Sequence, residues 1–179
     1  MKNQLEFKKL LEERGGKSTW LKMTQVVLSK GVSPDEFLAY LEDVNSVKRK
    51  NVAQTLSYTI DKKREFWKGK ENQMARILLT SRFDDVQRNL LRAFEKLDVP
   101  QEFEGEIFDF ILNRLGEMET PIAVKAFGMT VGRRICEKYP ELSGELIPLI
   151  EILVQEKVSA GIVNRGKKEL KKLYNIYGI

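Results

Sequence analysis

The stretch Val163-Asn164-Arg165 has two earlier counterparts in the chain, Val47-Lys48-Arg49 and Val86-Gln87-Arg88, and Val124-Lys125 sits in the remaining gap. The steps between these valines are 39, 38 and 39 residues, in the range of two-helix solenoid units. A second marker agrees: Gly105-Glu106-Ile107-Phe108 and Gly144-Glu145-Leu146-Ile147 are offset by 39, and Pro100 and Pro140 lead the segments around them at nearly the same step. One such unit cannot bury its apolar stripe alone, so the period predicts helical hairpins stacked on one another.

Outward from these markers, the first repeat is expected to pair a helix over about 47–60 with one over about 62–79, broken at Gly69. The second pairs about 84–97 with 101–115, and the third about 121–138 with 141–155. A last helix, about 161–177, closes the array. Its Val163, Leu170, Leu173 and Tyr174 share an inward face, while Lys167, Lys168, Lys171 and Lys172 are left to water. Upstream, residues 1–13 read as a helix stopped by Gly15-Gly16. Ser18 or Thr19 is expected to cap a second helix, and Ser33-Pro34-Asp35-Glu36 is a strong helix start. The expectation is therefore one all-α domain of about nine or ten helices, a right-handed α-solenoid of antiparallel helix pairs. It comprises divergent N-terminal helices over 1–42, three units over 43–157 and a C-terminal cap over 158–179.

Composition narrows the chemistry. The 179 residues are 32% charged and include no histidine, which removes the usual base near neutral pH and the commonest metal ligand. Imidazole-dependent triads are excluded. Cys136 is the single cysteine, so no internal disulfide can form, and its apolar neighbours suggest a small buried hydrophobe. No metal or cofactor is expected. No segment approaches the roughly 20 apolar residues of a membrane span, and residues 1–14 lack a signal-peptide apolar core. A cytoplasmic protein is expected.

At the segment from Thr120-Pro121-Ile122-Ala123-Val124-Lys125-Ala126-Phe127, through Tyr139-Pro140-Glu141-Leu142, to Ser159-Ala160-Gly161-Ile162-Val163-Asn164-Arg165, the chain resembles the HEAT-repeat class of α-solenoids. It is similar there to small bacterial proteins with HEAT-like repeats, over about residues 43–173. The resemblance implies that the arginine after the valine ties neighbouring units together by pairing with an acid. Arg49, Arg88 and Arg165 would hold that role. Ala126 interrupts the pattern in the third unit, with Lys125 beside it. The resemblance also implies that second helices line a concave face.

Charge is unevenly distributed. Residues 44–76 carry nine basic groups against three acidic, and residues 77–157 ten against fifteen. On the second helices the polar positions read Lys63, Arg64 and Lys70 early, then Glu102, Glu104, Glu106 and Asp109, then Glu145. A face that changes sign suits a protein or peptide of mixed charge better than a phosphate backbone, which needs a continuous positive track. Lys63, Trp67 and Lys70 share a helical face at spacings of four and three. They form either an aromatic platform flanked by cations or a core tryptophan with lysines at its rim, and core packing is favoured. Trp20, beside Leu21 and Val26, is expected in the core.

Catalysis finds little support. The carboxylates at 102, 104 and 106 do not converge on one site, and Gly15-Gly16-Lys17-Ser18 lacks the spacing of a phosphate loop. One HEAT-like enzyme family, the alkylpurine DNA glycosylases, uses a cationic face with aromatics around an aspartate. Trp67 and Asp61 offer a loose parallel. The sequence therefore points to a non-enzymatic scaffold binding a protein or peptide partner, with a nucleic-acid-binding module using the basic 48–76 region as the alternative.

Overall fold

A computed structural model describes residues 2–178. All regular structure among them is helical. The α-helices are α1 (Lys2–Glu12), α2 (Lys17–Leu28), α3 (Pro34–Ala39), α4 (Ser46–Lys63), α5 (Glu71–Thr80), α6 (Asp84–Phe94), α7 (Glu104–Gly116), α8 (Ile122–Cys136), α9 (Ser143–Gln155) and α10 (Ala160–Tyr177). Single 3₁₀ turns precede α7 and α9 and follow α3 and α4. The chain is all-α and of the α-solenoid class. It divides into two compact units, Met1–Asp98 and Val99–Ile179.

In unit 1, α4 packs against both α2 and α6, α1 lies against α2 and α4, and α5 packs on α6. Phe7, Phe37 and Trp67 are fully buried here. In unit 2, α7 packs on α8 and α9 on α10, and these pairs meet through α8 on α10 and α7 on α9. No helix among the described residues is long and apolar enough to cross a membrane.

Local chemistry sets several ends. The Ser33 hydroxyl accepts the Glu36 amide at 3.1 Å and Pro34 fills the first turn of α3. Asn45 accepts from the Val47 and Lys48 amides, and Ser159 from Ile162; each satisfies donors a helix start leaves open. Neither Ser18 nor Thr19 caps α2, because that helix already begins at Lys17 and its cap position is Gly16. The largest departure follows α4. Instead of ending near Ile60, it runs to Lys63, and a 3₁₀ turn over Arg64–Trp67 follows. Gly69 then reverses the chain at φ 82°, a left-handed conformation that glycine adopts at little cost. The second helix of the first repeat therefore starts only at Glu71.

Burial also corrects the repeat register. Val47 is 43% exposed and Val86 is fully buried, so the two Val-x-Arg copies do not occupy equivalent positions. Matching burial instead gives a step of 38 on the first helices: Asn51 with Asn89, Val52 with Leu90 and Leu56 with Phe94 in unit 1, Gly128 with Gly166 and Ile135 with Leu173 in unit 2. On the second helices of unit 2 the step of 39 holds, pairing Ile107 with Leu146, Phe108 with Ile147 and Ile111 with Ile150.

The arginine ladder is accordingly uneven. Arg49 joins α4 to the start of α6: its Nε donates to Asp85 at 3.2 Å and Nη1 to the Asp43 carbonyl at 3.0 Å. The guanidinium also lies 3.7 Å from the centre of the Phe83 ring, a cation–π contact. Arg88 Nε is buried without a hydrogen-bond partner. Arg165 donates to the Thr130 hydroxyl at 2.6 Å, which passes a hydrogen bond on to Glu169 at 3.1 Å. The buried cation that pairs Glu169 is Arg133, at 2.6 Å, which the Val-x-Arg pattern did not mark. Lys125 turns inward, and its Nζ donates to the Leu115 carbonyl at the end of α7. Burial holds that ammonium below its ordinary pKa, with Glu117 acting the other way.

Candidate interaction surfaces

Helices α7 and α9 each bury one face and leave one stripe to solvent. On α7 and its leading turn the stripe runs Glu102, Glu106, Asp109 and Asn113; on α9 it runs Glu141, Glu145, Pro148 and Ile152. These are equivalent positions at the step of 39, and α7 packs against α9, so the two stripes lie on neighbouring helices. Among the described residues Glu106, Asp109, Glu141 and Glu145 have no ion-pair partner. Ile152, 49% exposed, adds apolar area at the far end. Three other carboxylates of unit 2 are not available in this way. Glu104 is buried and takes Lys138 and the Tyr139 hydroxyl, and donation to that carboxylate raises the Tyr139 pKa. Glu151 accepts the Tyr174 hydroxyl at 2.6 Å and raises its pKa in the same way. Glu117 pairs with Arg114.

Unit 1 presents a basic corner where α4 ends. Lys62, Lys63, Arg64 and Lys68 are exposed there, with Arg64 beside Glu65 at 3.5 Å. Two of the sequence candidates leave this set. Trp67 is fully buried; its indole N–H donates to Thr59 at 2.9 Å and its ring packs on Phe37 and Phe66. The break at residues 64–70 ends the shared helical face, so Lys63 and Lys70 no longer flank it. Lys70 is bound to both Asp35 carboxylate oxygens, at 2.6 and 2.7 Å. Asp61, the other residue of the glycosylase parallel, is held by Arg92 and Lys96.

The eight surface candidates thus divide by unit: Lys63 and Arg64 remain as an exposed cationic pair, and Glu102, Glu106, Asp109 and Glu145 as members of an acidic stripe. The sequence misjudged Trp20, which is half-buried rather than in the core. Its indole N–H donates to the Asn51 Oδ1 at 2.9 Å. Asn51 was not singled out, although its place one turn into an apolar helix marked it as a polar residue that needed buried partners. Cys136 is fully buried and burial pushes its thiol pKa up to about 11, so it carries no thiolate near neutral pH.

The HEAT repeat domain family matches residues 7–173, across both units, and the chain belongs to that family. It is a helical repeat scaffold of the kind suited to protein interaction. No curated protein and no solved structure matches the chain significantly.

Proposed function

We propose that this chain is a non-enzymatic, cytoplasmic docking scaffold for a protein or peptide of mixed charge. The α7/α9 stripe receives a basic segment of that partner, and the basic corner at residues 62–68 an acidic one. The observation that supports this reading most directly is the pair of unneutralised acids at matching positions of adjacent second helices, Glu106 with Glu145, with Asp109 and Glu141 beside them on the same stripe. Carboxylates left without cations inside the molecule favour a complementary cation from outside it, chiefly through association rate and orientation. The test is co-purification from native lysate with the wild-type chain and with Glu106→Lys plus Glu145→Lys. A set of basic partners recovered by the first and lost with the second supports the reading; an unchanged set overturns it. A gel shift with duplex or single-stranded DNA that falls steeply between about 50 and 200 mM salt would instead favour nucleic acid.

A further inference from the structure

Unit 1 contains a cleft of about 800 Å³ that neither acidic stripe nor basic corner uses. It opens between the α1–α2 connection and the first turns of α4, and Arg14, Trp20, Val47 and Lys50 line it. Its size is that of pockets that enclose a few side chains.

The walls are fixed in place. Asn51, 1% exposed, donates through Nδ2 to the carbonyls of Leu10, Leu11 and Glu13, which ties the end of α1 to α4. Its Oδ1 holds the Trp20 indole, and Tyr58 backs the Trp20 ring at 6.4 Å. A Cβ on Gly15 would fall 2.5 Å from Asn51 Oδ1, so the connection lies against this bond only because that residue has no side chain. Arg49, 8% exposed, closes the floor through its pair with Asp85 and its stack on Phe83. Binding energy would not be lost in ordering these groups.

Charge in the lining does not cancel. Glu12 is taken by Lys48 at 2.7 Å and Asp85 by Arg49. Arg14 and Lys50 are exposed and have no partner among the described residues. The start of α4 adds the partial positive charge of its first amides. The cleft therefore offers two uncompensated cations around an indole face and an exposed valine. Two separate cations beside an indole do not make the continuous positive track that a phosphate chain needs.

We propose that this cleft docks an acidic peptide segment in which an aromatic or aliphatic residue lies beside carboxylates. The apolar side chain rests on Trp20 and Val47, and the carboxylates meet Arg14 and Lys50. The site is separate from the α7/α9 stripe and does not rest on its assigned role.

The two tryptophans make the test specific, because Trp67 is buried and bonded to Thr59 while Trp20 lines the cleft. The 179-residue chain, labelled with nitrogen-15, is titrated with acetyl-Glu-Asp-Phe-Glu-Glu-amide, with acetyl-Lys-Lys-Phe-Lys-Lys-amide and with decathymidylate, and the two indole N–H resonances are followed. The acidic peptide is expected to move the Trp20 resonance and leave Trp67 in place, and the basic peptide to move neither. Arg14→Glu with Lys50→Glu, both at exposed unpaired positions, should weaken the acidic peptide at least tenfold while the melting curve stays unchanged. Glu106→Lys with Glu145→Lys should leave the titration as it was. No movement of Trp20 at millimolar peptide, affinity unaltered in the Arg14/Lys50 variant, or a stronger response to decathymidylate would each overturn the proposal.

Discussion

Unit 1 and unit 2 bury different kinds of polar group between their helices. In unit 1 the enclosed positions are mostly neutral: Asn51, Thr55, Ser57, Thr59 and Asn89, with Arg49 the charged exception. Ser57 donates to Asn89 at 2.8 Å across α4 and α6, and Asn89 returns an N–H to the Asp85 carbonyl at 2.8 Å. In unit 2 most of the corresponding groups are ions, Glu104, Lys125, Arg133 and Glu169, with Thr120 and Ser143 the neutral ones. Thr130 and Arg165 extend the Arg133–Glu169 pair into a chain of bonds between α8 and α10. A neutral amide or hydroxyl costs little to enclose once it is bonded. An enclosed ion is tolerated only while its partner remains, and removing one partner costs far more than the pair contributes. The same repeat architecture is thus held by contacts that fail gently in one unit and sharply in the other.

Breaking the ion pair should show this first. Glu169→Ala leaves the Arg133 guanidinium in a buried site with only Glu137 beside it, and the expected loss is about 3 kcal/mol in denaturant unfolding followed by circular dichroism. Arg133→Met combined with Glu169→Leu should recover most of it. If the double variant is no better than the single, the pair is a net stabiliser and the contrast between units weakens. In unit 1, Asn51→Ala removes an amide serving three carbonyls and the Trp20 indole. About 2 kcal/mol is expected, less than for Glu169. Both tryptophans lie in unit 1, so emission reports this variant directly, and a red shift from the released Trp20 should accompany the loss.

A pH titration sharpens the comparison at Cys136 in unit 2. Burial raises its folded pKa to about 11 from an ordinary value of 9.0. The folded chain then holds the thiol proton more tightly than the unfolded chain does. The stability linked to it is complete below pH 9 and is lost as the pH rises from about 9 to about 11, by at most about 3 kcal/mol. Wild type and Cys136→Ala compared across that range isolate the thiol: the difference between them should narrow as pH rises. A constant difference would mean that the thiol is not confined as the structure has it. Below pH 9 the native thiol should stay inert to iodoacetamide and react on unfolding.

The sequence carried the architecture well and individual side chains less well, for a physical reason that particular residues make plain. Apolar stripes repeat, so an all-α array of about nine or ten helices was legible, and the 39-residue step of α7 and α9 could be read from Gly105-Glu106-Ile107-Phe108 and Gly144-Glu145-Leu146-Ile147. The Val-x-Arg triplets repeat at nearly the same step, yet Val47 faces solvent and Val86 the core. One residue of slip rotates a helical position by about 100°, and a period alone does not set that phase. The two tryptophans divide on this point. Core packing is the favoured sequence reading for Trp67, and the indole is buried, although the chain leaves the helix at Arg64 before reaching it. Trp20 looked like core because its neighbours are apolar, but the glycines before α2 leave its edge at a cleft. Arg133 and Glu169 are 36 residues apart, a separation that becomes meaningful only once α8 and α10 are stacked.

The smallest stability effect belongs to the acidic stripe and bears most on what the chain does. Glu106 and Glu145 are exposed and unpaired on equivalent turns of α7 and α9. Reversing both to lysine touches no buried contact, so the change in unfolding free energy should stay within about 0.5 kcal/mol. Relief of carboxylate repulsion along the stripe could even make it slightly favourable, an effect that salt would erase over a Debye length of roughly 10 Å. Partner capture should nonetheless collapse, since a basic segment would meet two cations where it met two anions. A large loss of stability would show that the stripe is part of the fold's own electrostatics. Unchanged stability with lost capture would assign its carboxylates to association, in contrast to Glu104 and Glu169, the two acids of the same unit that the fold has enclosed.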